Sequence, residues 1–462
     1  MVLTTQNILA ATSKSNGRVA GKQRRPKLTR GFVRAQKKQA HSRHMVPDGS
    51  LIVAMDLGKK QHSVWISTTE KHPLDRLQIP HSLAGLDSLI VHVRQMQREH
   101  GFTTIVFAME PTSHFWMVIC SYLDRCKLAY VLVQPLSVKR ERESTYFRTT
   151  KSDYRDAELI ANLTADRKFT LTRLPSSPLW ARLNAAATAY VLSAFLAVDE
   201  QLRIQSFLER LYPDYTTAFK SVDGATAMSC LCCMDEVSTL SAPKYVAKVR
   251  ATSDTPVQGP KILRFHQLAV DPQRSWGASI YDAALQVPLR HAAERWQQAR
   301  KHQDELETML LQLYEQTGYG VYLNTIPHIS STMQAVLLGL LGDPCQYDSA
   351  RCVVKFAGLD VKENTSGEYQ GATPITHRGP PELRYIAVQI VFALKAHDRV
   401  FQRRYQMLTH RRHNPLKNQQ ALVALACKYL RMVWTLCVYR MTYNQEIAQH
   451  GTHDHGMNGH ST

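Results

Sequence analysis

Apolar runs alternate with amphipathic stretches through the first third of the chain. From Leu51, "LIVAMDLGKKQHSVWIS" reads as an apolar strand, a polar turn and a second strand rich in β-branched and aromatic residues. A helical pattern follows over about Leu83 to Glu99, then the strand "TTIVFAM", a helix around His114 to Arg125, and the strand "AYVLV" before Gln134. This alternation predicts a mixed or parallel sheet covered by helices.

Residues 169–320 predict mostly helix, with "LRIQSFLERLYPDY" stopped at Pro213. Leu289, Ala292, Trp296, Ala299, Gln303, Leu306, Leu310 and Leu313 recur three and four apart, the seam of a coiled coil. A seam this short serves an intramolecular helical hairpin and a dimer equally well. A further domain is expected to begin near Val321, after Gly318 and Gly320.

Composition narrows the partners. The 462 residues are 44% hydrophobic, enough for two or three packed domains, and carry 57 Lys and Arg against 38 Asp and Glu, a formal charge of +19. Polyanions, nucleic acid first, are the expected partners. Residues 1–47 hold eleven Lys or Arg and no acid, a basic arm without apolar period. Between Asp398 and Glu446 there is again no acid, while Arg403, Arg404, Arg411 and Arg412 accumulate, the pattern of a phosphate-facing surface. The nine cysteines show no zinc-type spacing and are expected as reduced thiols. The His-rich end "HGTHDHGMNGH" reads as a flexible tail. The most apolar run, from Leu183, is shorter than the roughly 20 residues a bilayer crossing needs, and neither a signal peptide nor a membrane span is predicted.

Against this basic background, four carboxylates stand out by position. Asp56 ends the first strand, Glu110 directly follows "IVFAM", and Asp153 and Asp156 open the helix "DYRDAELIANL". Strand ends are where α/β sites collect, and residues three apart share a helix face. Clustered carboxylates repel unless a divalent cation is bound, and Mg²⁺ prefers oxygen ligands. The flanking Arg140, Arg142, Arg148, Lys151 and Arg155 would then meet phosphates. Taken singly, an Asp pair in a first helical turn is more often a cap, and Asp-x-Gly at a strand end also occurs in plain turns and in actin-like ATPases.

The ordered stretches "MDLGKKQHSVWI", "AMEPTSHFW", "VLVQPLSVKRERES", "TKSDYRDAELIA", "FAGLDVKENTSGEYQG" and "THRGPPELR" resemble the DEDD transposases of bacterial insertion sequences, the IS one-ten type, which includes the Piv-type DNA invertases. The resemblance covers most of residues 50–445. It implies an α/β RNase H-like (RuvC-like) catalytic domain over 48–168, a helical, coiled-coil linker over 169–320, and a mainly α-helical transposase domain over 321–446, between the basic arm and a tail over 447–462. It implies that Asp56, Glu110, Asp153 and Asp156 bind Mg²⁺, two ions in all, and that Ser366 in "NTSGEYQG" is a nucleophile forming a phosphoserine. It further implies double-stranded DNA as substrate, contacted also from Arg378 and Arg384, a structured bridge RNA in several members, a homodimer or homotetramer, and a bacterial cytoplasmic, nucleoid-associated setting. By its residues alone, Thr-Ser-Gly is an ordinary loop.

The sequence departs from the family at Ser113, at His328 and Ser330, which replace glycines of a helix-hairpin-helix-like turn, and at Pro380 and Pro381. Side chains in such a turn are expected to weaken or re-aim phosphate contact. Three other readings compete: a metal-dependent nuclease or junction resolvase of the same fold in which water attacks, an invertase without an RNA guide, and a non-catalytic nucleic-acid-binding repressor. No P-loop is present, consistent with strand exchange that needs no ATP.

Overall fold

A computed structural model describes residues 45–111, 115–145, 153–169, 177–281, 283–361, 365–366, 369–370 and 374–445. The arm up to residue 44, the tail, Ser113, Arg148 and Lys151 lie outside the described residues. The chain forms two compact units, Met1–Leu174 and Pro175–Thr462.

The first unit is built on a five-stranded sheet of order β3-β2-β1-β4-β5. Its strands are β1 (Ser50–Leu57), β2 (Gln61–Thr68), β3 (Pro73–Pro80), β4 (Thr104–Met109) and β5 (Ala129–Leu132). β1 pairs antiparallel with β2 and parallel with β4, and β4 is parallel to β5, so the sheet is mixed. β1 is central and buried on both faces, which is why it reads as an unbroken apolar run rather than an alternation. Leu51, Val53 and Met55 pack against α1 (Leu83–His100) and α2 (Phe115–Arg125) in one core. Ile52 and Ala54 face the other way, with Val106 and Ala108 of β4, onto Leu159, Ile160 and Leu163 of a helix, α4 (Asp153–Ala165). Each such aliphatic side chain contributes about 1.5–3 kcal/mol by leaving water. Between β5 and α4 runs α3 (Pro135–Thr145).

The second unit is almost wholly helical. The apolar run from Leu183 and the segment ending before Pro213 form one 34-residue helix, α5 (Pro178–Leu211). Short helices follow, α6 (Ala225–Cys232), α7 (Ala242–Thr252), α8 (Gly259–Val270) and α9 (Trp276–Tyr281). The chain returns along a second 34-residue helix, α10 (Ala283–Gln316), which packs against α5. The coiled-coil seam is thus used within the chain: Leu289, Ala292, Ala299, Gln303, Leu310 and Leu313 are buried. One end of the pair shares a core with α6 to α8; the other joins α11 (Gly320–Leu323), α12 (Ser331–Leu341), α13 (Ala350–Phe356), α14 (Pro381–His397), α15 (Arg399–Thr409) and α16 (Asn418–Tyr439). By length and composition α5 and α16 could cross a membrane, and both contribute core residues here. All nine cysteines are free thiols; burial pushes those of Cys120 and Cys232 up to about 12, which leaves them unreactive.

Candidate active site

Sheet register brings the first two acids together. Met55 of β1 stands beside Met109 of β4, so Asp56 and Glu110 are the next residues along two adjacent parallel strands. Side chains alternate along a strand, which puts Asp56 on the face of Ile52 and Ala54, the face that α4 covers. Ser63, buried, is its cross-strand neighbour on β2.

The direction of α4 settles where the second pair lies. Just past its C-terminus, Arg167 donates from Nε to the Val46 carbonyl (3.3 Å) and pairs with Asp48, while Asp166 pairs with Lys71 in the β2–β3 turn (2.6 Å). All three partners flank the beginning of β1 or the turn next to it. The helix therefore runs antiparallel to β1, and its first turn, with Asp153 and Asp156, lies towards the carboxyl ends of β1 and β4. Asp156 is the first member of the buried stripe Asp156, Ala157, Ile160, Leu163 and Thr164.

A buried carboxylate needs a counter-charge. Asp156 has one: Arg142, on α3, approaches Oδ1 from Nε at 2.8 Å and from Nη2 at 2.7 Å. Arg142 is thus a partner of the acid, a role its position in "KRERES" does not reveal. Arg140 and Arg155 are exposed on the same unit.

The donor set fits a hard divalent ion in kind, since carboxylate oxygens are what such an ion prefers, and Asp56, Glu110 and the first turn of α4 lie towards one end of the sheet. Among the described residues no three His, Cys, Asp or Glu side chains stand as a ready metal cage. Arg142 supplies positive charge to the buried member of the set.

On the opposite face of β2, fully buried His62 places Nε2 2.9 Å from Nδ1 of His81, and His81 packs edge-on against Phe115 (4.8 Å between ring centres) at the start of α2. Among the described residues His62 Nδ1 has no hydrogen-bond partner. Burial, reinforced by His81, lowers the His62 pKa to about 4. Pattern reading missed this stack, since a lone His in a strand carries no signal of its partner.

In the second unit, Ser366 belongs to a small hairpin, β6 (Thr365–Ser366) and β7 (Tyr369–Gln370), in which Ser366 faces Tyr369. A bridge between Val361 and Ile375 closes the stem below it. Arg378 is exposed at the foot of the stem, and Arg384 donates from Nη1 to two backbone carbonyls there. Arg403 and Arg404 lie exposed on α15, and Arg411 and Arg412 in the loop beyond it, where Arg411 Nε donates to the Asn414 carbonyl (2.6 Å). In the turn before α12, His328 takes a left-handed conformation (φ 64°) without glycine and packs against His397, while Ser330 caps α12 by accepting from the Met333 N–H (3.2 Å).

Two family models match the chain. One, of the DEDD transposases of IS110 type and described simply as a transposase, matches residues 53–213; the other, described as the transposase IS116/IS110/IS902 family, matches residues 321–406. No curated protein matches. The first match covers most of the sheet and all four acids, and the second covers the serine hairpin and most of α15, in the order the quoted motifs require. The chain belongs to the IS110-type DEDD transposases of insertion sequences, enzymes that cut and rejoin DNA.

Proposed function

We propose that this transposase works by serine-mediated strand transfer on double-stranded DNA, with Asp56, Glu110, Asp153 and Asp156 holding Mg²⁺. The observation that carries the reading is the gathering of Asp56, Glu110 and the first turn of α4 at one end of one sheet face. The strand order, with β1 between an antiparallel and a parallel neighbour, supports an RNase H-like, RuvC-like domain over 48–168. We assign residues 169–320 to a helical spacer and 321–446 to the serine-bearing domain, flanked by the basic arm 1–47 and the tail 447–462.

When bound, the metal supplies charge at the attacking and leaving oxygens of the phosphodiester. The protein's own groups do the rest. The Ser366 hydroxyl attacks phosphorus, an Oγ–P bond forms as the P–O3′ bond breaks, the Oγ proton is lost, and the 3′ oxygen departs and is protonated to a hydroxyl. A second 3′ hydroxyl then reverses the step on the phosphoserine. One phosphodiester is made for each one broken, so no ATP is consumed. Arg140, Arg155, Arg378, Arg403, Arg404, Arg411 and Arg412 would hold the backbone. The +19 charge and basic arm suit a structured bridge RNA as guide and a nucleoid-associated place in the bacterial cytoplasm, and the working unit on this reading is a homodimer or homotetramer.

The test is a denaturing gel of protein incubated with labelled plasmid carrying the DNA that flanks its reading frame. A protein-linked strand is expected in the presence of Mg²⁺ and absent with EDTA or in Ser366→Ala. Cutting that survives Ser366→Ala would favour the water-using nuclease, and activities untouched by Asp153→Ala the repressor. Co-purification of a stoichiometric short RNA would separate the guided recombinase from an invertase without a guide.

A further inference from the structure

We infer that Arg384 is a positioning residue that ties together the two legs of the Ser366 hairpin, rather than a contact to nucleic acid. Its catalytic consequence rests on the assignment of Ser366 above; its place in the fold does not.

The rising leg leaves α13 at Ala357 and the falling leg reaches Gly379 before α14. Between them, the Thr376 N–H donates to the Asp360 carbonyl (2.8 Å) and the His377 N–H to the Gly358 carbonyl (3.0 Å), below the Val361–Ile375 bridge. Arg384, in the first turn of α14, donates from the single nitrogen Nη1 to one carbonyl of each leg: Ala357 at 3.2 Å and Gly379 at 2.7 Å. That nitrogen has two hydrogens, and both are engaged.

The legs meet backbone to backbone at this point. A Cβ on Gly358 (φ +70°) would stand 2.8 Å from the Arg378 amide nitrogen and 2.9 Å from Arg384 Nη1, and one on Gly379 would stand 1.9 Å from the Phe356 carbonyl oxygen. Glycine on both legs admits the contact, and the planar guanidinium closes it. The knot is fixed to the core beside it through Leu359 and Leu383, both buried. A two-pair hairpin has little stability of its own, so its direction is inherited from this foot. Displacing a reacting group by about 1 Å costs on the order of 100-fold in rate.

Arg384→Ala and Arg384→Lys in the full-length protein test the inference with three readouts. Hydrogen–deuterium exchange at the Thr376 and His377 amides should accelerate at least tenfold in Arg384→Ala. The slope of log affinity against log salt for a random-sequence duplex should stay at the wild-type value, whereas loss of one phosphate contact would lower it by about one. Formation of the serine-linked DNA product should slow about 100-fold in Arg384→Ala, with partial recovery in Arg384→Lys, whose ammonium keeps donors for the carbonyls and lacks the planar fork. Unchanged exchange together with a reduced slope would overturn the inference. If wild type forms no serine-linked product, the nucleophile assignment fails, while exchange and salt slope still decide the place of Arg384. If Arg384→Ala does not fold, Arg384→Met, which keeps the bulk and removes every donor, decides: faster exchange at those two amides with α14 unaffected supports the knot, and unchanged exchange overturns it.

Discussion

The acidic face of the first unit and the serine hairpin of the second are built by opposite means. Asp56 and Glu110 are placed by the register of two central strands, and Asp156 by a helix whose apolar stripe is seated on that sheet, so their relative positions follow from a whole core. Ser366 sits on a hairpin of two residue pairs whose support among the described residues is local: one bridge, two backbone bonds and an arginine. A ligand set must hold several groups in fixed relation, which a sheet does well. In the function proposed above Ser366 is presented to a strand of DNA, and a short hairpin on a fixed foot suits that task.

Substitutions can break or sharpen this contrast. The largest effects should be chemical: Asp156→Asn and Ser366→Ala are each expected to lower strand transfer by about 10³-fold or more, measured on plasmid substrate. Ser366→Ala should leave the melting temperature unchanged, whereas Asp156→Asn, which deprives Arg142 of its anion, should lower it. Equal melting effects would erase the distinction between the two regions.

Next in size, Ile160→Ala empties a fully buried position beneath the acids and should cost about 2–5 kcal/mol in denaturant unfolding. The first unit should also soften in acid. His62 titrates near 4 when folded and near 6.5 when unfolded, so the unfolded chain binds the extra proton between those values. Stability is then complete above about pH 6.5 and falls by roughly 2–3 kcal/mol as pH drops towards 4. His62→Asn should flatten that part of the pH profile. The smallest effect belongs to the exposed cations: Arg403→Ala should lower the salt slope of DNA binding by about one and leave folding untouched.

Much of the first unit was legible because its signals are local. β1 is a run of apolar residues since both faces are covered, and the first turn of α4 shows its two aspartates in plain spacing. β3 escaped because it is an edge strand, mostly exposed, with Pro73 and Pro80 at its ends and charges at Asp75 and Arg76. α3, "PLSVKREREST", lacks an apolar stripe strong enough to declare a helix. Pairing is harder still: nothing in the spacing from Arg142 to Asp156 says that they meet, and Arg384 looks like any other cation in a basic segment. Ser366 was reached through the family resemblance alone, since a hydroxyl in a glycine-containing loop has no pattern of its own.

Glu200, in the middle of the α5–α10 pair, is almost wholly enclosed, and Arg295 grips it through both oxygens at 2.9 Å while Arg203 adds a third contact. Sliding either helix by one turn would pull Glu200 away from the bidentate Arg295 and leave it only Arg203 of its own helix, an unfavourable exchange for a buried carboxylate. Two helices of 34 residues, each about 50 Å long, are therefore locked in one alignment. The pair behaves as a gauge of fixed length, and the separation between the cluster of short helices at one tip and the serine-bearing end at the other is a built-in dimension of the enzyme.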